Sequence, residues 1–305
     1  MDEKQQKYSS RKFGVGRTNA FDVFNIIFFI ILSFIMVYPF WSVIMASVVY
    51  PHEFLTRAII LWPRNPHLNW YRHIFITDRF VRSFYITTLV TIISVIWTLS
   101  ITSTCAYALT KKTLPGYRIF TWMITVTMFF GGGLIPYFIL IRNLGLMNTI
   151  WPLAIGAMGA FNFLILRAFI TQIPEGLEES ATIDGANEVA IYFRIIIPMS
   201  MPVLAVITLW SAVGSWNSFF ADMLYLPLRP DLQRLQVILR QMIVENMDNA
   251  AADVAYRQRF GADVVIWTQG IRMAAVVVVT APILIVYPFL QKHFVKGIYL
   301  GSMKG

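Results

Sequence analysis

Apolar residues gather along the chain into six long runs, at 21–48, 83–109, 119–141, 151–173, 203–225 and 265–290. Each is long enough to cross about 30 Å of hydrocarbon, which takes roughly 20 residues at helical rise. In lipid a helix satisfies its own backbone, so the pattern predicts an all-α polytopic membrane protein with six transmembrane helices. The third run holds Gly131, Gly132, Gly133 and Pro136, which predicts a broken or kinked span packed inside the bundle. These glycines either let another helix approach closely or serve transport directly. No internal repeat, low-complexity tract or soluble domain interrupts the pattern.

Composition agrees with the pattern. Over 305 residues, 57% are apolar and 13% charged, whereas soluble domains carry about a quarter of their residues as charges. The formal charge of +9 sits in short clusters between apolar runs and never on one face with interleaved aromatics, so nucleic acid is excluded as a partner and membrane lipid is expected. The single cysteine, Cys105, leaves no disulfide framework and no cysteine metal cluster. The first run follows Lys4, Lys7, Arg11, Lys12 and Arg17, yet it is roughly twice a signal-peptide core of ~7 to 15 residues, so it reads as an uncleaved anchor.

Basic residues near span ends set orientation. All eight lysines (4, 7, 12, 111, 112, 292, 296 and 304) lie on one side, which predicts an N-in, C-in topology in a bacterial cytoplasmic membrane. The expected organisation is a cytoplasmic arm over 1–20, a transmembrane domain over 21–290 and a cytoplasmic tail over 291–305. Residues 174–202 then face the cytoplasm, while 49–82 and 226–264 form long outer loops.

The cytoplasmic segment carries the most acidic run of the chain, from Pro174 and Glu175 through Asp184, Gly185 and Glu188 to Pro198. Pro174 suits the first turn of a helix, and Glu175, Glu178 and Glu179 complement its positive end. Asp184-Gly185 supplies a turn, after which Asn187 caps a second short helix. Two short helices joined by a sharp turn make a rigid protrusion that a soluble partner can grip.

Glu179-Ser180-Ala181, Asp184-Gly185-Ala186, Phe193 and Ile195-Ile196-Ile197-Pro198 resemble, in order and spacing, the E-A-A signature of bacterial ABC-importer permeases. Ser180 replaces the family's first alanine and Ile197 a leucine. Phe130 to Pro136, Asn143 to Leu146, Val213 to Asn217 and the tail from Phe294 to Gly305 resemble the second maltose-type permease, in a subset associated with complex oligosaccharides. The resemblance runs from the first span to the C-terminus. It implies a type I ABC-importer permease fold and four partners: a second, paralogous permease, an ATPase dimer, an extracytoplasmic solute-binding protein and an oligosaccharide. It also implies ATPase coupling through Glu179, Ser180, Ala181, Asp184, Gly185, Ala186, Phe193 and Pro198, and contact of the tail residues Gly297, Lys304 and Gly305 with the ATPase, unless the tail is a frayed terminus. The chain has no G-x-x-x-x-G-K-[ST] loop, so ATP and Mg belong to the partner ATPase and no cofactor is expected here.

For a sugar path, aromatic faces beside planar polar groups are the relevant chemistry. The candidates are Trp216 and Asn217 in the fifth run and Trp267 and Gln269 in the sixth, although interfacial anchoring explains Trp267 and Arg272 equally. The outer loops hold Arg57, Arg64, Arg72, Arg79, Arg82, Arg229, Arg234, Arg240, Arg257 and Arg259; they suit either an acidic oligosaccharide or docking of the binding protein. A secondary transporter predicts repeats and mid-span ionisable groups, but apart from Asp22 at the very start of the first run, Asp222, near the outer end of the fifth, is the only acidic residue within a span. An intramembrane enzyme lacks its motifs, and His52, His67, His73 and His293 form no metal pattern. The chain is therefore expected to be a transport subunit and not an enzyme.

Overall fold

The computed structural model describes residues 20–243, 258 and 267–302, with side chains as far as Pro288. Residues 1–19 of the expected arm over 1–20, Lys304, Gly305 and both Arg257 and Arg259 lie outside the described residues. Among the described residues every regular element is helical.

Helix α1, Ala20–Ala46, is apolar along its whole length and presents Phe24, Ile30, Phe34 and Phe40 outward. Short helices α2 (Pro51–Thr56) and α3 (Asn69–Ile76) follow. Helix α4, Asp78–Ala108, is the central post of the fold. Three of its threonines and serines (Thr87, Thr88 and Ser103) turn their hydroxyls back onto carbonyls one turn earlier, so each polar group is satisfied inside an apolar environment.

The third predicted span is two helices, α5 (Tyr117–Val126) and α6 (Leu134–Asn143). Gly133 has φ +84°, the left-handed region that glycine enters without steric cost. Pro136 sits in the first turn of α6, where its missing N–H costs nothing. The break therefore forms where the glycines predict it. Its surroundings differ from expectation: Phe129, Phe130 and Ile135 are 74%, 76% and 71% exposed, so the described residues do not pack around it.

The fourth predicted span is also interrupted. Helix α7 (Trp151–Ala154) is separated from α8 (Ala160–Ile170) by a stretch containing Gly156 and Gly159. The indole N–H of Trp97 on α4 donates to the Gly156 carbonyl at 2.9 Å, satisfying one group that the break releases. Helices α9 (Glu175–Ile183), α10 (Glu188–Ile191) and α11 (Ile197–Met199) lead into α12 (Met201–Asn217). Beyond α12 lie α13 (Phe220–Tyr225), α14 (Leu235–Ile243) and α15 (Thr268–Ser302), which passes 290 without a break. Three helices, Ala20–Ala46, Asp78–Ala108 and the stretch Thr268–Pro288, are each long and apolar enough to cross a membrane; a fourth crossing arises if the bent pair Glu188–Met199 and Met201–Asn217 counts as one.

Helix α4 packs against α12 and α8, and α12 packs against α15. Buried side chains gather at both ends of this core. One cluster joins Ala106, Tyr107, Phe163, Leu166, Ile196 and Ile207; the other joins Trp70, Phe80, Trp216, Leu235, Ile271 and Val279. The second is closed tightly around Gly270. A Cβ there would lie 2.5 Å from a ring carbon of Trp267 and 2.8 Å from Nε1 of Trp70, whose N–H donates to the Val49 carbonyl. Gly270→Ala is expected to lower stability by about 1–3 kcal/mol, the usual cost of overpacking. Thermal unfolding in detergent checks this, and an unchanged midpoint would show that the indoles can yield.

Candidate functional site

The segment from Glu175 to Met199 is built by local rules. Pro174 takes the cap position, one residue before the helix it was expected to begin, and Glu175 and Glu178 occupy the first turn of α9. Asp184 ends that helix and Gly185 follows with φ +83°. The Gly185 N–H donates to the Thr182 carbonyl at 3.0 Å and the Ala186 N–H to the Ala181 carbonyl at 2.9 Å, the paired bonds of a Schellman stop. Asn187 Oδ1 then accepts from the Ala190 N–H at 2.8 Å and caps α10. After α10 a π-helical turn covers Tyr192–Ile196, and the chain bends by 78° at Ser200 into α12.

This segment is bolted to the ends of α4 and α8. The Tyr107 hydroxyl donates to Glu188 Oε2 at 2.6 Å. Lys111 pairs with Glu178, lies 3.7 Å from Glu188 and stands 4.8 Å over the Tyr107 ring. Burial works to lower the Lys111 pKa, but the hydrogen bonds and charges of Glu178 and Tyr107 outweigh it and hold the ammonium above its ordinary range. Underneath, the Tyr192 hydroxyl meets Ser103 Oγ at 2.6 Å, and Ala181 and Ala186 pack against the buried cluster. Small side chains at 181 and 186 let the helix–turn–helix lie close to that cluster. Glu179, Ser180, Asp184, Gly185, Phe193 and Pro198 point outward.

The three most exposed large apolar side chains on this protrusion are Ile183 (86%), Val189 (64%) and Phe193 (63%). Water-facing apolar groups clustered on a polar element mark a contact surface. Only Phe193 was among the sequence candidates. The signal for Ile183 and Val189 was present, as isolated β-branched residues in an otherwise acidic run.

At the opposite end, Trp216 and Trp267 belong to one apolar assembly. Trp216 is buried, its N–H donates to the Val279 carbonyl at 2.9 Å, and its ring meets Phe84 edge to face. Trp267 packs between Phe54 and Trp70. Gln269 is half-buried at the start of α15, whereas Asn217 is exposed and accepts a hydrogen bond from Gln236 Nε2 at 3.0 Å. Of the four path candidates, only Asn217 offers an exposed polar group.

Beside it lies a group that sequence reading left unpaired. Asp222, fully buried, receives the Arg234 guanidinium through Nε at 2.9 and 3.0 Å and through Nη2 at 2.6 Å, together with the Arg234 backbone N–H at 3.0 Å. Arg234 Nη1 donates to the Ser215 carbonyl at 2.8 Å. Further out, the Arg229 guanidinium holds Asp231 below the usual carboxylate range, and Arg82 reaches the same carboxylate at 2.9 Å. Among the described residues no group of three or more His, Cys, Asp or Glu could hold a metal ion.

Comparison with known proteins bears on both ends of the molecule. A polygalacturonan/rhamnogalacturonan transport system permease protein of Bacillus subtilis, YtcP, is 38% identical over 290 residues, 95% of this chain and all of that relative. A solved bacterial ABC transporter involved in import of the acidic polysaccharide alginate contains a chain with a TM-score of 0.82 and 29% identity, covering 90% of this chain and 96% of that one. A chain from an alginate transporter in complex with its pentasaccharide-bound periplasmic protein shares the fold, at 14% identity and a TM-score of 0.55 over 88% and 92%. The family model described as the binding-protein-dependent transport system inner membrane component matches residues 71–299, and the chain belongs to that family.

Proposed function

We propose that this chain is one of two paralogous permease subunits of an ATP-binding-cassette importer carrying a carboxylate-bearing oligosaccharide across the bacterial cytoplasmic membrane. The observation that carries the reading is the protrusion Glu175–Met199: a rigid pair of helices, locked to α4 and exposing Ile183, Val189 and Phe193 to a partner. An ATPase dimer grips it, hydrolyses ATP with Mg and moves α4, α8 and α12 as a unit; this chain binds no cofactor. Glu179, Ser180, Ala181, Asp184, Gly185, Ala186, Phe193 and Pro198 form the coupling surface, and the tail with Gly297, Lys304 and Gly305 makes a second contact.

In this reading the chain crosses six times, N-in and C-in: through α1, α4, the broken pairs α5–α6 and α7–α8, the pair α12–α13, and α15. The long outer loops meet an extracytoplasmic solute-binding protein. The acidic character of the cargo is supported by the polymers named for the similar proteins, polygalacturonan/rhamnogalacturonan and alginate, and by the arginines of the outer segments.

The test is uptake by proteoliposomes holding this chain, its partner permease, the ATPase and the loaded binding protein. Uptake is expected to require ATP and to favour a uronate oligosaccharide over a neutral one of equal length by about tenfold, the scale of one charge-assisted contact. Preference for the neutral sugar would end the acidic reading. Transport by this chain without any ATPase would end the importer reading.

A further inference from the structure

The protrusion is tied down by a single cation. Lys111 follows the end of α4, and the backbone holds it there before any charge is counted. Its N–H donates to the Ala108 carbonyl at 3.3 Å, the Thr110 hydroxyl donates to the Tyr107 carbonyl at 2.6 Å, and Arg167 Nε on α8 donates to the Leu109 carbonyl at 3.0 Å. These bonds satisfy carbonyls that the end of a helix leaves open. They make Lys111 part of the frame of α4 and α8 and not of a free loop.

From that frame the ammonium reaches both arms of the helix–turn–helix. It pairs with Glu178 on α9 and lies 3.7 Å from Oε2 of Glu188, the first residue of α10. The same oxygen of Glu188 accepts from the Tyr107 hydroxyl, whose ring lies under the ammonium. Two neighbouring acids on α9 are thereby separated in role: Glu179 faces outward, whereas Glu178 is turned in beside Lys111, their paired side chains 22% and 28% exposed. Shielded to that degree, the pair is screened by salt less than a surface pair would be. Between the arms stands Gly185 in the left-handed region, the residue type with the greatest backbone freedom. A glycine turn sets the direction of the chain but does little to hold two helices under load. Two carboxylates drawn to one ammonium do hold them.

We propose that Lys111 is the positioning residue that carries the ATPase stroke into α4: by holding Glu178 and Glu188 at one point, it fixes both arms to each other and to the membrane helices. Movement of the protrusion then displaces α4 instead of flexing the turn, and Tyr107 supports the clamp by orienting Glu188. The inference rests on the reading of the chain as an importer subunit driven through this protrusion. Removing the ammonium leaves the outward face of Ile183, Val189 and Phe193 in place, so the ATPase still docks and hydrolyses ATP. What is lost is the amount of sugar moved per ATP.

The test uses the complete reconstituted transporter, with ATP hydrolysis and uptake followed in the same vesicles and assembly checked by co-purification yield. The cargo is whichever of a trigalacturonide and its carboxyl-reduced counterpart the wild type carries faster, which frees the result from the charge of the sugar. Lys111→Met is expected to keep the ATPase rate without binding protein within about twofold and to lower sugar moved per ATP about tenfold, the scale of one charge-assisted bond. Glu178→Gln, nearly identical in shape, should do the same. Lys111→Arg keeps the charge and should stay within about twofold of wild type. Lys112→Met removes a charge from the neighbouring, exposed position and should leave the ratio unchanged. The inference is overturned if Lys111→Met and Glu178→Gln keep the wild-type ratio, or if Lys112→Met lowers it equally, since the charge of the loop alone would then suffice. It is also overturned if yield, hydrolysis and uptake fall in proportion, as they would were the cluster only part of the fold. If the wild type itself moves sugar without ATP, the importer reading has failed before any substitution is made, and the clamp falls with it.

Discussion

Gly185→Asp is expected to leave the chain inserted in the membrane while removing substrate-stimulated ATP hydrolysis and uptake by more than about tenfold. The position lies outside every apolar run, so insertion does not depend on it. Gly185 has φ +83°, which costs a residue with a Cβ about 1–2 kcal/mol. Nothing lies within 4 Å of a Cβ built there, so the cost is conformational and the new side chain projects toward the surface read as the ATPase contact. The aspartate also places a second anion beside Asp184, at the negative end of α9. Gly185→Asn, which tolerates the left-handed region better, should retain a substantial part of the coupling. Co-purification with the ATPase and partner permease, with complex yield and ATPase rate recorded, checks both. Wild-type rates in the aspartate variant would remove the turn from the coupling mechanism.

The second large effect is expected from Asp222→Ala. Arg234 would keep its charge in a buried site without its counterion, and removing one partner of a buried pair typically costs about 3–5 kcal/mol. The loss should appear as a lowered unfolding midpoint in detergent and poor assembly. Replacing both residues, Asp222→Leu with Arg234→Met, should recover much of the stability, since a well-packed apolar pair avoids the desolvation penalty. If the single and double variants unfold together, the pair is not what fastens α14 to α12 and α13.

The long apolar runs were legible because α1, α4 and the start of α15 follow simply from length and hydropathy. So was the turn at Asp184-Gly185, because it is a purely local signal, and so was the Asn187 cap. The interruption between α7 and α8 was not, since the group that satisfies it is Trp97, 59 residues away on another helix. Nor were the anchors Tyr107 and Lys111, nor the partner of Asp222, because pairing across the chain leaves no periodicity to read. Trp216 and Trp267 were chosen for their chemistry. Their burial against one another's neighbours is a property of packing, which spacing does not reveal.

The gap between α5 and α6 carries a consequence for the life of the subunit. Among the described residues, none of the N–H groups of Gly131, Gly132 and Gly133 donates to backbone, and the flanking Phe129 and Phe130 side chains stand exposed. In hydrocarbon each unpaired amide costs several kcal/mol. On the proposed six-span reading, a lone copy is expected to be the less stable species, with its open stretch uncovered. If this stretch crosses the bilayer as proposed, a chain without its partner is expected to turn over faster than the assembled one, which a chase of the tagged chain with and without its partner permease would show.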